Sequence, residues 1–203
     1  MASTLSSVIT VTLSFAGGFG AAVFSHYLTQ FRGDREYLLR RLDELFRQHD
    51  QYSHLLRGAL IVAYGGADCD ADSIGGWKAE CLKRVNAVRD ATELVAGINS
   101  AVYILFRNLE PAFFAFDRMR RDIIVKLLEI EDYVRPVTFA DMALGPDAAR
   151  DAISKMTQLE QMQETCLRLL DRLQTVDEDV EKQIREEANA IRRGAFWNWN
   201  FER

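Results

Sequence analysis

Proline and glycine are scarce: 3 and 12 in 203 residues. A many-stranded β protein needs more turn residues than that, so the composition excludes a sandwich or barrel of short strands. Cysteine is scarcer still in useful pattern. Cys69, Cys81 and Cys166 are odd in number and widely spaced, which gives no disulfide framework and no CxxC metal site. There are three histidines, His26, His49 and His54, all near the start, and too few for a histidine-rich metal centre. There is no P-loop, no GxGxxG after a strand, no HExxH and no GxSxG. Net positive charge is also missing. The chain carries −5, which argues against coating nucleic acid.

The most informative absence is local. From Met1 to Phe31 there is no Asp, Glu, Lys or Arg. Leu5 to Leu28 is mostly apolar and long enough to cross about 30 Å of hydrocarbon as a helix. A signal peptide would open with basic residues and end at a small-x-small cleavage site. MASTLSS has no basic residue and no clean site follows, so the stretch reads as an uncleaved anchor. Arg32, Arg35, Arg40 and Arg41 follow it. The positive-inside rule then predicts a single-pass protein with its N-terminus outside and the remainder cytoplasmic. Residues 1–31 are expected to be the anchor and 32–203 a helical bundle with an aromatic tail.

Within the anchor, Ser7, Thr10, Ser14, Gly17 and Ala21 recur at alternating three- and four-residue spacing, which aligns them on one helix face. Small and hydroxylated faces allow close helix approach and hydrogen bonding between helices. The face predicts homo-oligomerisation, and in a ring of such helices it would line a pore. His26 and Arg32 fall at the expected membrane boundary. The tail, Phe196-Trp197-Asn198-Trp199-Asn200-Phe201, follows Arg192 and Arg193. Trp197 and Trp199 suit a membrane interface, packing on the bundle, or a partner's groove.

Past the anchor the period is helical. Leu38, Leu42, Leu45, His49, Tyr52, Leu56 and Ala59 form a heptad stripe that predicts one helix to about Ala63, with Gly33-Asp34 as a bending point. Tyr64 to Gly76 reads as a loop. A second helix buries Trp77, Cys81, Val85, Val88, Thr92 and Val95. The apolar run Ile98 to Leu109 is too short to span and reads as a buried core helix. Pro111 either kinks that helix or opens a new one as its first residue. Phe113, Phe114, Phe116, Ile123, Ile124, Leu127 and Leu128 carry the apolar face to about Val134. Arg135-Pro136 then breaks it. Pro136 to Gly145 is a loop. The last helix starts at Pro146 and extends to Arg193, with Ala152, Met156, Leu159, Gln163, Cys166, Leu170, Leu173, Val180, Ile184 and Ile191 at seam positions. Asp177 and Glu187 interrupt that seam. The expected fold is all-α: an N-terminal transmembrane helix continuing into an antiparallel bundle of three or four long helices.

Two local patterns carry chemistry. Asp68, Asp70 and Asp72 alternate like the opening of a calcium-binding EF-hand loop, but Ser73 stands where Gly is needed and Ala79 where Glu is needed. They read as a flexible acidic loop, with Asp72 or Ser73 as a helix N-cap. Arg47 and His54 enclose six residues and share a helix face two turns apart. This spacing resembles the Arg-x(4–6)-His pattern of HEPN-type helical ribonucleases. The resemblance implies a ribonuclease in which His54 moves a proton and Arg47 stabilises phosphate charge. The overall layout is also similar to membrane-anchored, HEPN-like accessory and effector proteins of bacterial CRISPR-associated defence. That likeness implies a non-enzymatic effector that assembles in the membrane. No cofactor is expected. The expected partners are membrane lipid, further copies of the chain and a cytoplasmic protein. A third reading is a ligand-sensing bundle that signals through that protein.

Overall fold

The computed structural model describes residues 2–65, 74–134 and 146–193, with the side chains of 2–24, 27, 74, 132–134, 146–153, 155, 156 and 159 outside the description. Every regular element among these residues is helical: α1 (Ala2–Tyr64), α2 (Ile74–Asp90), α3 (Thr92–Leu105), α4 (Glu110–Val134) and α5 (Pro146–Arg193). The chain divides into two compact units. One holds Met1–Arg41 with Ala190–Arg203, and the other holds Leu42–Asn189. Most of the expected anchor falls on residues whose side chains lie outside the description. Among the described residues, no helix is long and apolar enough to cross a membrane.

The larger unit is a bundle of four rods. α2 and α3 are offset only at Ala91 and run antiparallel to α1. Trp77 of α2 donates its indole N–H to the Val62 carbonyl at 2.7 Å. Further along, Gly97 of α3 lies against Gln48 of α1. Each contact satisfies a different need. Val62 is in the last turn of α1, where carbonyls have no helical partner. At Gly97 a Cβ would fall 2.8 Å from Gln48 Oε1, so the missing side chain permits the close approach. α4 then runs antiparallel to α2 and α3, with Arg89 bonded to the buried Glu131 at 2.9 Å. α5 is antiparallel to α4: Asn108 reaches Glu187 at 3.2 Å, and Arg172 faces Asp122 at 3.8 Å.

The sequence pattern accounts for most of the core. All seven stripe residues of α1, Leu38 to Ala59, are buried. So are Trp77, Cys81, Val85 and Val88, and on α5 Gln163, Cys166, Leu173, Val180, Ile184 and Ile191. Pro111 does open a new helix. The backbone leaves the helical region at Phe106 (φ −127, ψ 57), a single 3-10 turn spans Arg107–Leu109, and α4 begins at Glu110. Pro111 is then the second residue of α4, where an amide N–H would have no helical acceptor.

Several expectations are corrected. α1 is helical without interruption from Ala2 to Tyr64, through Gly33-Asp34. Thr92 is exposed and Val95 half-buried, because the irregular backbone at Ala91 (ψ 34) shifts the phase of the next helix toward Ile98, Ala101 and Val102. The run Ile98 to Leu109 is not one buried helix. Tyr103 and Ile104 are 51% and 68% exposed, while Phe106 and Leu109 turn inward across the break. Phe114 and Leu128 of α4 also face outward.

Candidate functional site

The expected site residues scatter. Arg47 is exposed and bonds to Asp43 at 2.8 Å, one turn back along α1 and away from His54. His54 is exposed too. No hydrogen bond or ion pair joins the two among the described residues. His26 and Arg32 are exposed on α1. Ser7, Thr10, Ser14, Gly17 and Ala21 belong to α1, with side chains outside the description. Asp68, Asp70, Asp72, Trp197 and Trp199 lie outside the described residues altogether. Among those described, no three His, Cys, Asp or Glu side chains group as metal ligands would.

The structure instead assembles a polar cluster inside the larger unit. It grows from the two helical seams. On α1 the stripe places His49 among leucines, and Ser53 and Arg57 follow at four-residue intervals on the adjoining face. On α5 the seam places Asp177 between Leu173 and Val180. His49, Ser53 and Asp177 are all buried, at 2%, 4% and 3% exposure. The Ser53 hydroxyl donates to Asp177 Oδ2. Arg57 Nη2 donates to the same oxygen at 2.5 Å, from a guanidinium that is 43% exposed. His49 Nε2 stands 3.3 Å from the other oxygen, Oδ1. That approach lacks the alignment of a full hydrogen bond. Both atoms are enclosed and make no hydrogen bond among the described residues. Removal from water pushes the Asp177 carboxyl upward. The contacts from His49, Ser53 and Arg57 outweigh it and hold the group below the usual carboxylate value.

Aromatic rings close the cluster on the α4 side. The His49 imidazole meets Phe116 edge-on at 4.5 Å and Phe113 at 5.5 Å. Phe116 also meets Tyr52. Burial raises the Tyr52 phenol, against an opposing hydrogen bond from Arg120. Arg120 in turn chelates Asp117 through Nε at 2.8 Å and Nη2 at 2.5 Å, and Arg121 binds the second Asp117 oxygen. Burial acts to raise the Asp117 carboxyl too, and the two arginines bring it below the ordinary value. A cleft of about 230 Å³, mouth included, opens beside Tyr52, Asn99 and Arg120, with enclosed space for about one water. That is smaller than ordinary ligand sites.

The chemistry available to the cluster is limited by its wiring. Serine, histidine and aspartate are all present, but the acid sits in the middle. The hydroxyl donates to Asp177 and not to the imidazole, so no base activates Ser53. With each member enclosed, the arrangement acts as a polar layer between α1 and α5. Any slip along the seam would strand its charges against leucines, which fixes register. Sequence reasoning placed His49 in the α1 seam and read Asp177 as an interruption of the other. The signal that pairs them is a polar residue at a seam position in each of two heptad helices.

Fold and site together define an all-α, up-down-up-down bundle locked by a buried ionic layer. No protein family, no curated protein and no solved structure matches the chain.

Proposed function

We propose that the chain is a single-pass, membrane-anchored helical scaffold. In this reading it self-associates through the Ser7, Thr10, Ser14, Gly17 and Ala21 face and presents its bundle in the cytoplasm. The observation that carries the reading is the continuity of α1. One helix joins the charge-free N-terminal stretch to the stripe that begins at Leu38. A helix can satisfy its own backbone in hydrocarbon and also build a bundle core, so one element serves both roles. The arginines after Phe31 set the orientation. The registered core supports a structural role, because Ser53 and Arg57 of α1 both donate to the enclosed Asp177 of α5.

Carbonate washing of membranes tests the anchor: the chain should stay with the bilayer. Detergent-corrected light scattering on wild type and Gly17→Leu then tests the face. An oligomer that the substitution dissolves is the expected result. A ring-sized assembly would extend the reading to a pore, checked by single-channel recording. A wild-type monomer would overturn self-association. One observation favours the ribonuclease alternative: Arg47 and His54 both lie on the solvent side of α1. RNA cleavage lost in His54→Ala with assembly intact would establish it.

A further inference from the structure

The large apolar side chains that stay in water are unevenly placed. Among the described residues of the larger unit, five are more than half exposed: Ile61, Tyr103, Ile104, Phe114 and Val125. Three of the five flank one turn, the break between α3 and α4. Ile104 and Phe114 are the most exposed of them, at 68% and 64%. The backbone leaves the helix at Phe106, which turns Phe106 and Leu109 inward and leaves Tyr103 and Ile104 outside. Phe114 is one residue from the buried Phe113 and two from the buried Phe116, so helical geometry turns it away from the core. Arg107 and Arg118 are exposed on the same corner. Neither side chain makes a hydrogen bond or ion pair among the described residues. Glu110 is the exposed acid between them.

The corner's place in the unit follows from its contacts. Gly97 lies against Gln48, and α3 runs antiparallel to α1. Ile104 is seven residues further along, about 10 Å nearer the end at which α1 enters the unit. Asn108, in the turn itself, bonds to Glu187 near the end of α5. The end at which α1 enters is the one that leads back to the charge-free stretch.

We infer that this corner seats in the headgroup and acyl boundary of the bilayer, with Tyr103, Ile104 and Phe114 in the lipid and Arg107 and Arg118 at the phosphates. The inference rests on the anchored reading above and adds a second contact with the membrane. An aromatic and aliphatic tip flanked by arginine suits that boundary, where apolar bodies enter the acyl chains and guanidinium groups pair with phosphate. A spanning helix tilts by up to about 40°, which lets one corner of a bundle reach the leaflet while the opposite corner stays in water.

The full chain carrying Ala115→Cys, an exposed site beside Phe114, takes a nitroxide label and is reconstituted into vesicles of phosphatidylcholine with phosphatidylglycerol. Ile61→Cys, exposed in the last turn of α1, is the control, and wild type treated alike supplies the background of the native thiols. Oxygen collects in hydrocarbon and a nickel chelate in water. The label at position 115 should lose nickel access several-fold and gain oxygen access, while the label at position 61 stays water-like. Each serine of I104S/F114S should weaken the docking at least about tenfold and return the label to water. R107Q/R118Q should weaken it too, and R107K/R118K should restore it. Equal melting by circular dichroism shows that each variant folds.

The outcomes separate the two readings. A chain that resists carbonate while its label at position 115 keeps the nickel access of position 61 overturns the corner contact and leaves the anchor. Loss of nickel access without a gain in oxygen, with spin broadening that fades on dilution by unlabelled chain, puts a second copy on the corner and overturns the bilayer contact. A chain that carbonate removes, yet that binds vesicles and loses binding in I104S/F114S, supports the corner and removes the anchor. A chain that binds no vesicle removes both.

Discussion

Asp177 receives contacts from three side chains, and its removal is the sharpest test of the buried layer. Asp177→Ala leaves His49 and Ser53 enclosed without their acceptor and strips Arg57 of its counter-ion. Breaking a buried ion pair costs about 3 to 5 kcal/mol. Arg57 is 43% exposed and can turn to water, which places the loss at the low end, about 3 kcal/mol. For a chain of this size that lowers Tm by about 6 to 12 °C. The companion variant replaces the whole layer: His49→Leu, Ser53→Ala and Asp177→Leu together. An apolar seam removes the desolvation penalty along with the attraction, so the triple variant should melt within about 1 kcal/mol of wild type. Melting followed by helical circular dichroism in detergent measures both, and the difference is the coupling among the three residues. The reasoning fails if Asp177→Ala costs less than about 1 kcal/mol, or if the triple variant is as unstable as the single one.

Three further expectations concern single groups. Asp177 has a lower carboxyl value folded than unfolded, so its contribution is fully present above about pH 4 and drains away as pH falls through the depressed folded value. Acid titration of stability should therefore show a steep low-pH limb that flattens in Asp177→Ala; an unchanged limb would assign it to other groups. Cys166 is enclosed, and burial, only partly opposed by Lys126, pushes its thiol up to about 11. Iodoacetamide at neutral pH should leave it unmodified by mass spectrometry in the native chain and alkylate it after denaturation. Trp77→Phe keeps the ring packing but deletes the 2.7 Å bond to the Val62 carbonyl. It should cost about 1 kcal/mol and speed amide exchange in the last turn of α1.

Legibility in the sequence followed the physics of each element. Period and punctuation reveal an isolated helix well. The α1 stripe from Leu38 to Ala59 and the start of α5 at Pro146 appear where spacing and proline chemistry place them. The break at Phe106 is different. Pro111 signals an interruption without fixing the phase of the turn before it; the apolar run there reads as continuous core, whereas Tyr103 and Ile104 lie outside it. The polar layer was hidden for another reason. His49 and Asp177 are each an anomaly within one helix. Their meeting depends on the register between two helices far apart in sequence, which no single-helix pattern contains.

That separation has a consequence for synthesis. Ser53 and Asp177 are 124 residues apart, and a ribosome adding about 5 to 20 residues per second needs about 6 to 25 s to travel between them. For that interval the α1 stripe, His49 included, has been made while its α5 counterpart is still untranslated. Neighbouring nascent chains on one message would carry the same unfilled seam at different lengths of chain. A seam with a polar level disfavours helices that bring only apolar side chains to it, so the pairing between α1 and α5 in the finished bundle would also bias partner choice while the chain is being made.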